Sequence, residues 1–143
     1  MLRQQSILIV ERENDFRELL KFSFKRHFGL DVCTARDGFE ALSIMETGLI
    51  DLMIANANIP FINGIHLVSI VKTVFSQTKI VALLADHGGR YGICKNEIKE
   101  MGADCVIDKV DLVIRMLPKL SQHPPPKHLS SLCKTLSGFI RAK

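Results

Sequence analysis

The chain has 143 residues, 47% of them apolar and 24% charged, with a formal net charge of +4. That length holds one domain with a proper core and at most a short appendage, and the balance is that of an ordinary globular protein. The basic residues are scattered, so charge alone gives no reason to expect nucleic-acid binding.

Four cysteines, Cys33, Cys94, Cys105 and Cys133, lie far apart without a CxxC pair. This argues against a zinc site or a disulfide framework and suits a reducing cytosol. The opening MLRQQSILIVERE turns charged after four consecutive apolar residues, too soon for a signal peptide. No stretch approaches membrane-spanning length.

The chain alternates short apolar runs with longer stretches of helical period. Ile7 to Val10 predicts a strand buried on both faces, ending at Glu11. Asn14 is placed to cap a helix from Asp15 to about Phe28, with a stripe of Phe16, Leu19, Leu20, Phe22, Ser23 and Phe24. Leu30 to Ala35 reads as a second strand. Asp37 can cap a helix carrying Phe39, Ala41, Leu42 and Met45 that stops near Gly48.

Leu52 to Ala55 predicts a third strand, followed by a loop with Pro60 and the turn pair Asn63-Gly64. A helix through Ile65, Val68, Ile70, Val71 and Val74 follows, then a strand from Ile80 to Ala85. Beyond the glycine-rich loop 87–92, a helix is expected over Ile93 to Met101, a strand over Cys105 to Ile107, and a closing helix over Leu112 to Leu120.

Five strands alternating with five helices call for a parallel sheet covered on both faces. Sites in such folds lie at the carboxyl ends of the strands, which here means the loops after Val10, Ala55, Leu84 and Ile107. Residues 1–121 form this domain. Residues 122–143 hold a stiff Pro124-Pro125-Pro126 linker, then HLSSLCKTLSGFIRAK, where Leu129, Leu132, Cys133, Leu136 and Ile140 predict a short amphipathic helix. Such a helix needs a surface to dock on, expected to be the closing helix or the same face of a second subunit in a homodimer. Membrane contact is not expected.

The segments ILIVERENDFRELL, DGFEAL, DLMIANANIPFINGIHLV and GADCVIDK, in this order, resemble the receiver domains of bacterial response regulators. The resemblance covers about Ser6 to Leu120 and implies a flavodoxin-like, CheY-like fold. It also implies a cytoplasmic role in two-component phosphorelay signalling, as a module that is not an enzyme in its own right. In that family an acidic pair after strand one and an aspartate after strand three hold magnesium, and the aspartate takes a phosphoryl group from a histidine kinase. A Thr or Ser after strand four and a lysine after strand five contact the phosphoryl oxygens, and an aromatic residue on strand five reports the change.

Carried over residue by residue, the pattern breaks. The acidic pair falls on Glu11 and Arg12, the phosphoacceptor on Asn56, the hydroxyl on Leu84 and the aromatic switch on Val106; only Lys109 is intact. An amide cannot form an acyl phosphate, and a hard cation wants oxygen ligands. A pocket of three carboxylates against one lysine, near −2, becomes about +1 when Glu11 faces Arg12 and Lys109. Magnesium binding is therefore expected to be lost, leaving a pseudo-receiver that acts through protein–protein contacts.

Arg12 either takes the metal's place by pairing with Glu11 or Glu13, or points to solvent. Asn56 is expected to be a hydrogen-bonding strut, Leu84 an extension of the core, and Lys109 a structural contact. Two other functions remain open: an anion- or nucleotide-binding module on Arg12, Lys109 and Arg90, or a phosphoacceptor that uses Asp51, Asp86 or Asp108.

Overall fold

The computed structural model describes residues 5–28, 30–59, 61–85, 95–120, 122 and 134–135. Five strands, β1 (Ser6–Val10), β2 (Asp31–Ala35), β3 (Leu52–Asn56), β4 (Lys79–Leu84) and β5 (Cys105–Asp108), form one parallel sheet in the order β2-β1-β3-β4-β5. The helices between them are α1 (Asn14–Phe28), α2 (Gly38–Thr47), α3 (Gly64–Val74) and α4 (Lys95–Met101). The closing helix, α5, starts at Lys109–Asp111, passes through π-helical Leu112–Met116 and ends at Leu117–Leu120. The expected α/β, flavodoxin-like doubly wound fold is the observed one.

Alternation along the strands divides the core. Leu8, Val10, Met53, Ala55, Ile80, Ala82 and Leu84 face α2, α3 and α4 through Ala41, Met45, Leu67, Val71 and Ile98. Ile7, Ile9, Leu52, Ile54, Val81, Leu83 and Ile107 face α1 and α5 through Leu20, Phe24, Leu112 and Met116. Each such fully buried side chain contributes roughly 2 kcal/mol, so apolar-run strands are the natural outcome. Burial pushes the half-buried Cys33 thiol on β2 above its usual range, with Asp31 adding to the effect.

Several local expectations are corrected. Asn14 does not cap α1; its Oδ1 accepts from Arg17 Nη2 at 2.6 Å. On α1, Leu19 and Phe22 lie outside the core, and Arg17 is buried instead. Phe39 also faces outward, where it packs against Phe61, a residue held at φ 68°. Leu67 is buried on α3, whereas Val74 is exposed.

The closing helix begins three residues early because Asp108 caps it, its Oδ1 accepting from Val110 N at 2.8 Å and Asp111 N at 3.3 Å. Its ladder widens so that Leu117 N–H donates to Leu112 O. Pro118 supplies a reason, because its ring crowds the carbonyl four residues back in a regular α-helix. Asp37 caps α2 as expected, and Asn63 caps α3, accepting from His66 N at 2.9 Å. Loop 87–92 lies outside the described residues, as does the expected tail helix apart from Lys134 and Thr135, which are helical.

Candidate functional site

The strand order reverses between β1 and β3, and in a sheet of this kind the crevice opens at the carboxyl ends of those two strands. Glu11 leaves the end of β1, its N–H bonded to Ala35 O at 3.0 Å. Asn56 ends β3, and Lys109 follows the end of β5. Parallel register thus brings three residues 45 or more positions apart in sequence to one edge.

They form a closed network. Glu11 is fully buried, and its Oε2 accepts from Asn56 Nδ2 at 2.9 Å. Its Oε1 accepts from Glu13 N at 3.2 Å and lies 3.5 Å from Lys109 Nζ. The same ammonium stands 3.1 Å from Glu13 Oε1 and 4.2 Å above the Phe16 ring. Asn56 is also buried, and its Oδ1 accepts from Asn58 N at 2.9 Å. A buried carboxylate needs paired charge and donors around it. Glu11 has an amide, a backbone N–H and an ammonium.

Of the two readings of Arg12, the solvent-facing one fits: its side chain is exposed, and among the described residues no ion pair joins it to Glu11 or Glu13. The cation that compensates Glu11 is Lys109. Asn56 occupies the strut position expected of it. Leu84 and Val106 are buried in the core face that packs on α2, α3 and α4.

Arg17 was not foreseen as part of the site. Its Nη1 donates to Glu11 O at 2.9 Å and Arg12 O at 3.4 Å, and it fixes the loop between β1 and α1. The signal was the spacing 17-20-24, which puts Arg17 on the same helical face as buried Leu20 and Phe24.

Two of the substitute carboxylates, Asp51 and Asp108, are poorly placed. Asp51 lies at the opposite edge of the sheet, its Oδ2 accepting from Ser6 N at 2.8 Å. Asp108 is buried and engaged in capping α5. Asp86 and Arg90 lie outside the described residues. Among the described residues, no group of three or more His, Cys, Asp or Glu side chains is arranged to hold a metal ion.

Known proteins share this architecture. A receiver-domain structure from Methanospirillum hungatei JF-1, described as CheY-like, superposes with a TM-score of 0.72 at 17% identity, covering 99% of this chain and 100% of that one. The receiver domain of Ssk1 from Saccharomyces cerevisiae, crystallised with the histidine phosphotransfer protein Ypd1, gives 0.64 at 21% identity, covering 76% and 81%. Both likenesses speak for the fold alone. In sequence, the Regulator of RpoS of Escherichia coli (strain K12) is 35% identical over 81 residues, 57% of this chain but only 24% of the relative's length. The family model for the response regulator receiver domain matches residues 7–113, most of the chain. With the sheet order and the strand-end site, that match settles the family: this chain belongs to the response regulator receiver domains.

Proposed function

We propose that this receiver domain signals without accepting a phosphoryl group, as a pseudo-receiver that works through contacts with signalling proteins. The observation that carries the reading is the bond from the Asn56 amide to the buried Glu11 carboxylate. Where the family's chemistry needs an ionised carboxylate as nucleophile, this chain holds an amide turned towards the buried carboxylate of Glu11.

Magnesium does not fit this donor set. Both oxygens of Glu11 already face hydrogen-bond donors, Lys109 brings positive charge beside them, and position 12 is a cation. A hard cation would have to displace that network, and of the two carboxylates beside Lys109 only Glu11 is buried, Glu13 being largely exposed. Lys109 stands instead as an internal counter-charge, holding the crevice in one arrangement. That engagement also weighs against the anion- or nucleotide-binding alternative, since Lys109 would have to leave two carboxylates to bind a ligand.

The partners are proteins of two-component signalling, a histidine kinase, a phosphotransfer protein or an output partner. The Ssk1 complex offers a precedent of that kind. No helix among the described residues is long and apolar enough to cross a membrane. A cytoplasmic, bacterial, non-enzymatic module is the reading in keeping with the family.

Incubation with acetyl phosphate and magnesium tests the proposal directly. Intact mass is expected to stay unchanged. Added phosphoryl mass mapping to an aspartate at the carboxyl edge of the sheet would sink it.

A further inference from the structure

At the opposite edge of the sheet, the ends of α2 and α3 enclose a hollow of about 420 Å³. Its walls include Met45, Glu46, Leu49, Ile50, Val74 and Phe75. Leu49 and Val74 are 70% and 64% exposed, so the hollow is an open apolar groove rather than a sealed void. Its electrostatic sign is also set. Two helix C-termini converge on it, and the last turn of α2 contains no basic residue but does contain Glu46. The carbonyl end of a helix favours a cation, and here a carboxylate adds to the negative potential. Lys72 on α3 is engaged by Asp104 at 3.5 Å. The groove is apolar with a negative rim, and what suits it is an amphipathic segment with cations.

The chain carries such a segment. Lys127, Lys134, Arg141 and Lys143 account for the whole net charge of +4, so residues 1–122 are neutral by side-chain count and the tail contains no Asp or Glu. Leu129, Leu132, Leu136 and Ile140 recur at helical spacing between those cations. We infer that residues 129–143 dock as an amphipathic helix in the groove between the ends of α2 and α3 of their own chain.

The topology permits it. Every strand is parallel and every helix returns, so α5 ends on the same edge of the sheet as α2 and α3. Because α5 lies on the opposite face of the sheet from α2 and α3, two strand spacings and two layer spacings separate its end from the groove, roughly 22 Å in a straight line. Residues 121–128, stiffened by three prolines, can span roughly 25 Å when extended. The tail has the length, the stripe and the charge.

Disulfide trapping in the full chain tests this, with Cys133 as the reporter in the tail. A second cysteine is introduced by Leu49→Cys at the groove or by Ile114→Cys on the outer side of α5, positions 70% and 66% exposed in the native fold. After mild oxidation, mass mapping is expected to find Cys133 linked to position 49 within one chain, at about fivefold the yield of linkage to 114. Adding Glu46→Lys should cut the yield at 49 by reversing the charge of the rim. Linkage favouring 114 would move the tail to α5, and linkage to 49 only between chains would assign the groove to a second copy. Either result, equal yields at both positions, or no link to position 49 overturns the inference.

Discussion

Asn56 donates its amide to a carboxylate of Glu11 that no water reaches, across 2.9 Å. Replacing the amide by a carboxylate turns a donor into an acceptor and sets two acids face to face. Asn56→Asp is therefore expected to destabilise the fold by about 1–3 kcal/mol at pH 7. The sign with pH follows from the pair. Glu11 raises the folded-state pKa of the new acid above its unfolded value near 3.9, so the variant is closest to wild type at low pH and loses stability as pH rises. Denaturant unfolding at pH 4.5 and pH 7 should show the smaller deficit at the lower pH; an equal deficit at both would mean that the two acids do not face one another.

Lys109 supplies the counter-charge at Glu11 and is only 14% exposed. Lys109→Met keeps the stem over Phe16 but leaves the buried carboxylate without a cation. A loss of about 3 kcal/mol at pH 7 is expected. An Arg12→Ala control should shift the unfolding midpoint little, because Arg12 faces solvent. Equal losses in the two variants would return the counter-charge to Arg12.

Much of this arrangement is legible before any coordinates. The apolar runs at β1, β3 and β4 announce a sheet covered on both faces, and the parallel order sends Glu11, Asn56 and Lys109 to one edge. Which cation reaches Glu11 is a different kind of question. Arg12 is next to Glu11 in sequence, but successive residues leaving a strand point apart, while Lys109 arrives from β5 through the folded register. Arg17 escaped notice because a buried guanidinium that bonds main-chain carbonyls leaves no mark in hydropathy. Leu19, Phe22 and Phe39 misled in the opposite sense. An apolar residue on a helix does not reveal which side the sheet will occupy when the stripe is this broad.

Gly64 opens α3, where its N–H donates to Ala57 O at 2.9 Å. A Cβ there would overlap the Cα of Ala57 and stand 2.6 Å from its carbonyl oxygen, both main-chain atoms that cannot step aside. Gly64→Ala is expected to cost about 3 kcal/mol or more and to disturb the loop that carries Asn58. Gly48 is the internal control, because a Cβ there meets nothing within 4 Å and its φ of −166° suits any residue. Gly48→Ala should unfold within about 0.5 kcal/mol of wild type. Similar behaviour of the two variants would show that the approach at Ala57 is not tight.

The last expectation concerns restoring the lost chemistry. Asn56→Asp alone gives the crevice a nucleophile, yet the second ligand of the acidic pair is still Arg12 and Lys109 still faces Glu11. Without a metal to draw the new carboxylate away from its neighbours, acetyl phosphate should leave this variant unmodified. Adding Arg12→Asp provides three carboxylates against one lysine, enough oxygen donors for a magnesium ion. Adding Leu84→Thr returns a hydroxyl at the end of β4, at the expense of a side chain that is 3% exposed and packed in the core. The triple variant should therefore be less stable than wild type but should gain one phosphoryl group, visible by intact mass and dependent on magnesium. Chelation should abolish the gain. Ready phosphorylation of Asn56→Asp by itself would show that position 12 does not limit the metal site, and that one substitution separates this domain from an active receiver.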